Sequence, residues 1–179
     1  MVYERGMEQK PSPGPAQRIV GLTGGIAAGK STVGRILREL GAAVVDADEV
    51  ARVVVAPGRP AYQELRQAFG DDILQPGAED QGQLRPLDRA RLAALAFNDP
   101  EARRRLNQIT HPAIAAESAR LINDLFAAGH AVVIYEATLI AENGLHRGLA
   151  GVIVVDLPED EQLRRAVQRG LPEAQARAR

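Results

Sequence analysis

The sequence contains no cysteine, no tryptophan and only two lysines among its 22 basic residues. The absence of cysteine excludes disulfides, thiolate metal ligands and thiol nucleophiles, and it favours a cytoplasmic setting. No apolar run reaches the roughly 20 residues of a membrane-spanning helix. The net charge of -1 gives no reason to expect nucleic acid or a membrane surface as a partner. We expect a soluble monomer or weak homo-oligomer that binds small ligands.

Strand patterns lie near both ends of the chain, and helical patterns fill its middle. Residues 1–17 are rich in proline and polar residues, which predicts a disordered leader. Residues 42–46 follow the first strand and helix as a second strand, so the chain opens with a parallel β-α-β unit. Two later apolar runs, 131–136 and 151–155, predict strands buried on both faces of a parallel sheet. Between them and the opening unit we expect a lobe of helices, one of which begins near His111.

The stretch GLTGGIAAGKST lies between the first strand and the first helix. Its pattern Gly24-x4-Gly29-Lys30-Ser31 is that of a P-loop, in which backbone N–H groups and the positive end of a helix surround phosphate oxygens. In this interpretation Lys30 reaches the β- and γ-phosphates and Ser31 binds Mg²⁺. The predicted ATP-binding residues are Gly25, Ile26, Ala27, Ala28, Gly29, Lys30, Ser31 and Thr32.

Several classes of nucleotide-binding protein share such a loop, and the rest of the sequence separates them. A GTPase reads guanine with an Asn-Lys-x-Asp segment, which this chain cannot contain because its lysines are Lys10 and Lys30. The Leu-Ser-Gly-Gly-Gln segment of transporter ATPases is absent as well. Small-molecule kinases remain, and the length of 179 residues suits them.

A kinase also needs a group that orients the acceptor hydroxyl or takes its proton, commonly a carboxylate. The second strand ends in VVDADEVAR, which places Asp46, Asp48 and Glu49 at the carboxyl edge where ligands bind in such sheets. Either Asp46 or Asp48 can instead cap the helix that begins around Glu49. Both roles can coexist in two neighbouring acids.

The segments LTGGIAAGKSTV, LGAAVVDADEVAR, PGRPAY, FNDPEARRRLNQITHP and EATLIAENGL together resemble the dephospho-coenzyme A kinase family. This resemblance implies a three-layer α/β/α P-loop kinase fold and transfer of the ATP γ-phosphate to the ribose 3'-hydroxyl of dephospho-CoA, the last step of CoA synthesis. The family's catalytic base matches Asp48, and Lys30 is the second catalytic residue. The implied parts are a core (18–49 and 130–158), a helical substrate lobe (50–129) and a C-terminal lid (159–179), all in one domain.

Three further residues are candidates for substrate binding beside Asp48. Arg52 lies four residues after Asp48 and either contacts a substrate phosphate or is solvated. His111 either contacts substrate or serves in packing at a helix start. Glu136 ends a strand, where its carboxylate either binds Mg²⁺ through water, orients the acceptor, or is a plain strand-end acid.

The chain departs from the family at two places. Ala27 and Ala28 stand where the family often has glycine and serine, so a backbone angle that favours glycine would be strained there by about 1 kcal/mol. The lid is expected to be truncated, with Arg169, Arg177 and Arg179 as the nearby arginines. Two alternatives therefore stay open: a P-loop kinase for another small acceptor, and a catalytically weak nucleotide-binding protein.

Overall fold

The computed structural model describes residues 16–77, 84–138, 140 and 144–173. Within this part of the chain a four-stranded sheet is flanked by helices. The strands are β1 (Arg18–Gly24), β2 (Ala43–Asp46), β3 (Val132–Glu136) and β4 (Gly151–Val155). The helices are α1 (Lys30–Glu39), α2 (Ala47–Val53), α3 (Pro60–Phe69), α4 (Arg89–Asn98), α5 (Pro100–Ala127) and α6 (Glu159–Gln168).

The sheet is parallel throughout, with the strand order β2-β3-β1-β4. Side chains alternate between the two faces of a strand. Val133 and Tyr135 of β3 therefore face the side on which α2 and α5 pack, where they join a core with Val45 and Ile122. Glu136 points to the opposite face, against α1. Helices thus cover both faces, which confirms the predicted α/β/α class.

β4 differs from the expected strand buried on both faces. It lies at the edge of the sheet, and its three central residues are between 38% and 65% exposed. The prediction was wrong for β4 because an apolar run does not distinguish a central strand from an edge strand. The same prediction is confirmed for β3, which lies between β1 and β2 and has Val133 and Ile134 buried on its two faces.

The helical region has a core of its own. Tyr62 and Leu65 of α3 pack with Ile73, Leu92 and Leu106. α5 contributes its first half to this core and its second half, through Ile122, to the core against the sheet. This helix is therefore the element that joins the helical region to the core against the sheet.

The expected helix start at His111 was wrong, because α5 runs without interruption through His111 and Pro112. Proline inside a helix removes one backbone hydrogen bond and costs about 3 kcal/mol. Hydrophobic packing at both ends of the 28-residue helix offsets that cost. α5 begins at Pro100, and the side chain of Asp99 caps it by accepting a hydrogen bond from the backbone N–H of Glu101.

A glycine ends α1. Gly41 has a φ of 86° and its N–H donates to the carbonyl of Arg38, which is how a glycine ends a helix. Most of the predicted leader, residues 1–15, lies outside the described residues, as do residues 78–83. None of the helices in the described ranges is long and apolar enough to cross a membrane.

Candidate active site

The glycine-rich loop joins β1 directly to the N-terminus of α1. Gly29 adopts a left-handed conformation with a φ of 107° and stands as the N-cap of α1 without a side-chain cap. The start of α1 thus presents its N–H groups and positive helix end to the loop. This arrangement suits an anion in the position that the P-loop pattern predicts.

Two loop glycines are required by close packing rather than by backbone angle. A Cβ on Gly24 would lie 2.5 Å from the carbonyl oxygen of Val155 in β4. A Cβ on Gly25 would collide with the side-chain oxygen of Gln162 in α6. A side chain at position 24 would push the loop away from the backbone of β4, whereas one at position 25 would displace the end of the Gln162 side chain.

Gln162, in the first turn of α6, is held in this place by a contact with the segment just before the helix. The Gln162 amide nitrogen donates to the carbonyl of Leu157 at 2.6 Å. In the same helix, hydrogen bonds from Arg164 and Arg165 to the Glu161 carboxylate lower the pKa of Glu161 to about 2. Glu161 therefore stays ionised, and both ion pairs persist, at any pH well above that value.

Ala27 has the backbone strain that was expected where the chain has alanine in place of the family's glycine or serine. Its φ of 55° lies in the left-handed region, and among the described residues it is the one non-glycine with a positive φ. Ala28 is 4% exposed and packs into the protein instead of facing the loop's concave side. The strain is therefore confined to the first of the two alanines.

We expect Ala27→Gly to raise the free energy of unfolding by up to about 1.5 kcal/mol. Relief of a left-handed alanine is worth roughly 1–2 kcal/mol, and the added entropy of the unfolded chain takes back about 0.5–1 kcal/mol. Urea denaturation measures the difference. Ala28→Gly is the matched control and should lower stability, since it relieves no positive φ. Equal effects of the two substitutions would contradict the assignment of strain to Ala27.

A cavity of about 690 Å³ opens over the loop. Of the eight predicted ATP-binding residues, all but the buried Ala28 line this cavity. Asp48, Thr138 and Arg169 also lie in its wall. Arg169 is thus the one of the three named lid arginines that the structure places at the site, whereas Arg177 and Arg179 lie outside the described residues.

Lys30 is held between two carboxylates at the floor of this cavity. Its Nζ donates to Glu136 Oε1 at 3.0 Å and lies 3.8 Å from Asp48 Oδ2. The side chains of Lys30 and Glu136 are 10% and 0% exposed, whereas that of Asp48 is 60% exposed. The ammonium group therefore joins a buried acid to an accessible one.

The two acids at the end of β2 have different surroundings. Asp46 Oδ1 accepts hydrogen bonds from the backbone N–H groups of Asp48 and Glu49, at 2.8 and 3.3 Å. Asp46 is therefore the N-cap of α2, and the helix begins at Ala47 rather than around Glu49. Asp48 lies in the first turn with its carboxylate free to face the cavity, so the question left open by the sequence is settled in favour of Asp46 as the cap.

A second cavity of about 420 Å³ adjoins the first and shares Asp48 and Thr138 with it. His111 of α5 and Tyr135 of β3 line its far side. A third, smaller cavity of about 270 Å³ continues along α5 into the lobe, with Leu65, Leu92 and Leu106 in its wall. Asp48 thus stands at the junction between the loop cavity and a path that leads into the lobe.

The remaining predicted residues lie at different distances from this junction. Arg52 is exposed, and its carbonyl oxygen accepts a hydrogen bond from Arg89 at 3.4 Å. Glu136 is fully buried beneath Lys30 and lines neither the loop cavity nor the adjoining one. The prediction for Glu136 was a direct contact with substrate, and the burial of its side chain does not favour such a contact.

Sequence reasoning missed Thr138, which lines both the cavity over the loop and the cavity that adjoins it. Its carbonyl accepts a hydrogen bond from Thr23 Oγ1 at 3.0 Å, so the segment after β3 is tied to the end of β1. The signal that could have found it is its place just beyond the carboxyl end of a central strand, where ligands bind in parallel sheets. In the described ranges no three His, Cys, Asp or Glu residues cluster as a metal site.

Comparison with known proteins gives one consistent result. A family model described as dephospho-CoA kinase matches residues 18–179. The chain is 49% identical to the dephospho-CoA kinase of Corynebacterium glutamicum, over 89% of this chain and 77% of the relative. It is 45% identical to that of Geobacillus kaustophilus, with the same two coverages.

Solved structures agree with this assignment. A crystal structure from Thermus thermophilus matches with a TM-score of 0.73 and 33% identity, over 92% of this chain and 78% of the other. The dephospho-CoA kinase of Campylobacter jejuni matches with a TM-score of 0.58 and 28% identity, over 90% and 77% of the two chains. From its motifs, its fold and these relatives, the chain belongs to the dephospho-CoA kinase family.

Proposed function

We propose that this protein transfers the γ-phosphoryl group of ATP to the ribose 3'-hydroxyl of dephospho-CoA, which yields CoA and ADP. The observation that carries the proposal is the position of Asp48. It lies 3.8 Å from Lys30 at the phosphate-loop cavity and also lines the cavity that leads toward the lobe. A donor phosphate and an acceptor hydroxyl can therefore meet at one carboxylate.

On the donor side the loop and Lys30 hold the triphosphate. Backbone N–H groups at the start of α1 bind phosphate oxygens, and the Lys30 ammonium neutralises charge on the β- and γ-phosphates. Arg169 lines the same cavity and is the candidate for an additional cation against the transferred group. These positive groups stabilise the charge that spreads over the phosphoryl oxygens in the transition state.

On the acceptor side Asp48 acts as the general base. Its carboxylate accepts the proton of the 3'-hydroxyl as that oxygen bonds to the γ-phosphorus, and the bond from this phosphorus to the bridging oxygen of ADP breaks. The 60% exposure of the Asp48 side chain leaves it accessible to an incoming hydroxyl.

The rest of dephospho-CoA has room along α5. The cavity beside Asp48 has Tyr135 and His111 in its wall and is the candidate site for the nucleoside end of the acceptor. The apolar cavity that continues from it into the lobe suits a flexible arm with few charges. In this arrangement His111 contacts substrate from the middle of a helix. Arg52 lies on the exposed side of α2 and reaches only a substrate phosphate at the solvent-facing edge of the site.

The residues at the loop fit a magnesium ion that is brought by the nucleotide. Ser31 is exposed and lines the loop cavity, and the described residues contain no cage of three acidic or histidine ligands. Mg²⁺ is commonly held by few protein ligands together with phosphate oxygens. Ser31 would hold the ion, whose charge would offset that of the β- and γ-phosphates.

The reaction is tested by measuring ADP release with a panel of acceptors and identifying the product by mass. We expect turnover with dephospho-CoA and a product heavier by one phosphoryl group, and no turnover with CoA, whose 3'-position is already phosphorylated. Preferred turnover of a nucleoside monophosphate or a sugar acid would instead indicate a kinase for another acceptor. ATP binding without turnover of any acceptor would indicate a nucleotide-binding protein without this activity.

A further inference from the structure

Glu136 is a buried acid that the reaction described above does not use. It ends β3 and pairs in register with Leu22 of β1 on one side and Asp46 of β2 on the other. None of its side chain is exposed. A carboxylate in this position cannot reach a dissolved acceptor or ion without a change in the protein around it.

Room for this carboxylate comes from the absence of a side chain on α1. Lys30, Gly34 and Arg38 are spaced by four residues and so lie along one side of the helix. A Cβ on Gly34 would collide with Glu136 Oε2 and would lie 3.0 Å from the carboxyl carbon. Glu136 therefore rests directly against the helix backbone at the middle of these three positions.

Both neighbouring positions on that side of α1 carry a positive charge toward the acid. Lys30 Nζ donates to Oε1 at 3.0 Å, and Arg38 Nη2 lies 3.6 Å from Oε2. Oε2 has no hydrogen bond in the part of the chain that the structure describes. The hydrogen bond from Lys30 is thus the main one that this buried charge receives.

A buried charge that has one good partner restrains that partner strongly. Separating Lys30 from Glu136 would leave a desolvated carboxylate with only the longer contact to Arg38, which is unfavourable. The lysine stem is flexible by itself, with rotatable bonds along its whole length. The ammonium carries three N–H donors, so two remain for the loop cavity and for Asp48 while one stays on Glu136.

We propose that Glu136 is a positioning residue that holds the Lys30 ammonium between the phosphate site and Asp48. It acts through Lys30 and touches neither the acceptor nor the metal ion. This inference rests on the proposed function, since it gives Lys30 the triphosphate as its ligand. It replaces the direct substrate contact that the position of Glu136 in the sequence suggested.

Glu136→Gln tests the proposal because it keeps the shape of the side chain and removes its charge. We expect the KM for ATP to rise about tenfold and kcat to fall by up to about 100-fold, the effect of a misplaced catalytic group. The KM for dephospho-CoA should not change. Val133→Ala is the matched control, since it weakens the same strand on the opposite face and should leave both KM values unchanged.

A double substitution separates action through Lys30 from a general structural effect. ATP affinity, measured by calorimetry without acceptor, should fall in Glu136→Gln but be equal in Lys30→Ala and in Lys30→Ala/Glu136→Gln. Gly34→Ala, which intrudes on the carboxylate without altering any charge, should also weaken ATP binding. It supplies the same test if Glu136→Gln does not fold.

The opposite results would overturn the proposal. A rise in the KM for dephospho-CoA alone would place Glu136 against the acceptor, and a further loss of ATP affinity in the double variant would show that it does not act through Lys30. These outcomes are distinct from a failure of the proposed reaction. ATP affinity is measured without acceptor, so the effect of Glu136→Gln on ATP affinity can be determined whether or not dephospho-CoA is phosphorylated.

Discussion

Lys30→Ala lowers kcat/KM for ATP by about 100- to 1000-fold, the magnitude that follows from removing one charged donor at a transition state. Two effects combine in this result. The triphosphate loses the cation nearest to its transferred group, and Asp48 loses a positive neighbour 3.8 Å away. Steady-state kinetics with ATP varied, together with calorimetric ATP binding, measure the loss.

The same substitution also destabilises the protein, because Glu136 loses its hydrogen-bonded partner. Breaking a buried ion pair from one side costs about 3–5 kcal/mol, and the remaining contact of Glu136 with Arg38 at 3.6 Å makes the lower end the expectation. Activity must therefore be measured below the unfolding temperature of the variant. Lys10→Ala is the matched control, as Lys10 precedes the region that matches the family, and it should behave like the unchanged protein. A variant without Lys30 that keeps its ATP affinity would contradict the assignment of the phosphate site.

Asp48→Asn gives the second large effect, and it falls on turnover rather than on nucleotide binding. Loss of a general base lowers kcat by about 100- to 10,000-fold. ATP affinity stays close to that of the unchanged protein, because Lys30 keeps its shorter contact with Glu136. Single-turnover measurements with saturating ATP and dephospho-CoA isolate the chemical step from binding.

Asp46→Asn is the control for this experiment, since it removes a charge two residues away. An asparagine can still cap α2 through its side-chain oxygen, so stability and turnover should both be nearly unchanged. Asp46→Ala should lower the free energy of unfolding by about 1 kcal/mol through loss of the cap. If Asp46→Asn abolished turnover while Asp48→Asn did not, the general base would be Asp46.

The candidate site shows how far residue patterns reach. The phosphate loop was predictable because its glycines, lysine and serine are contiguous and act through local backbone geometry. The strain at Ala27 was predictable for the same reason. Which of Asp46 and Asp48 caps α2 was not predictable, because both are one residue type at the same strand end. The hydrogen bonds from Asp48 and Glu49 to Asp46 decide it.

The fold shows the same limit. Patterns of apolar residues predicted strands and helices close to where they occur, since these patterns reflect local periodicity. They did not predict that α5 continues through Pro112, because packing against two separate cores offsets the local penalty. They also did not place β4 at the exposed edge of the sheet, because strand order follows from contacts between distant segments.

By itself, the sequence determined that this protein is a P-loop kinase of the dephospho-CoA kinase family, because the motifs that carry this chemistry are short and continuous. Only the tertiary structure decided how Lys30 is held. Lys30 and Glu136 are 106 residues apart in the chain, and they meet because β3 pairs beside β1 and because Gly34 leaves space under α1. A contact of this kind depends on sheet order and on a missing side chain, and neither is expressed in the residues that immediately surround Glu136.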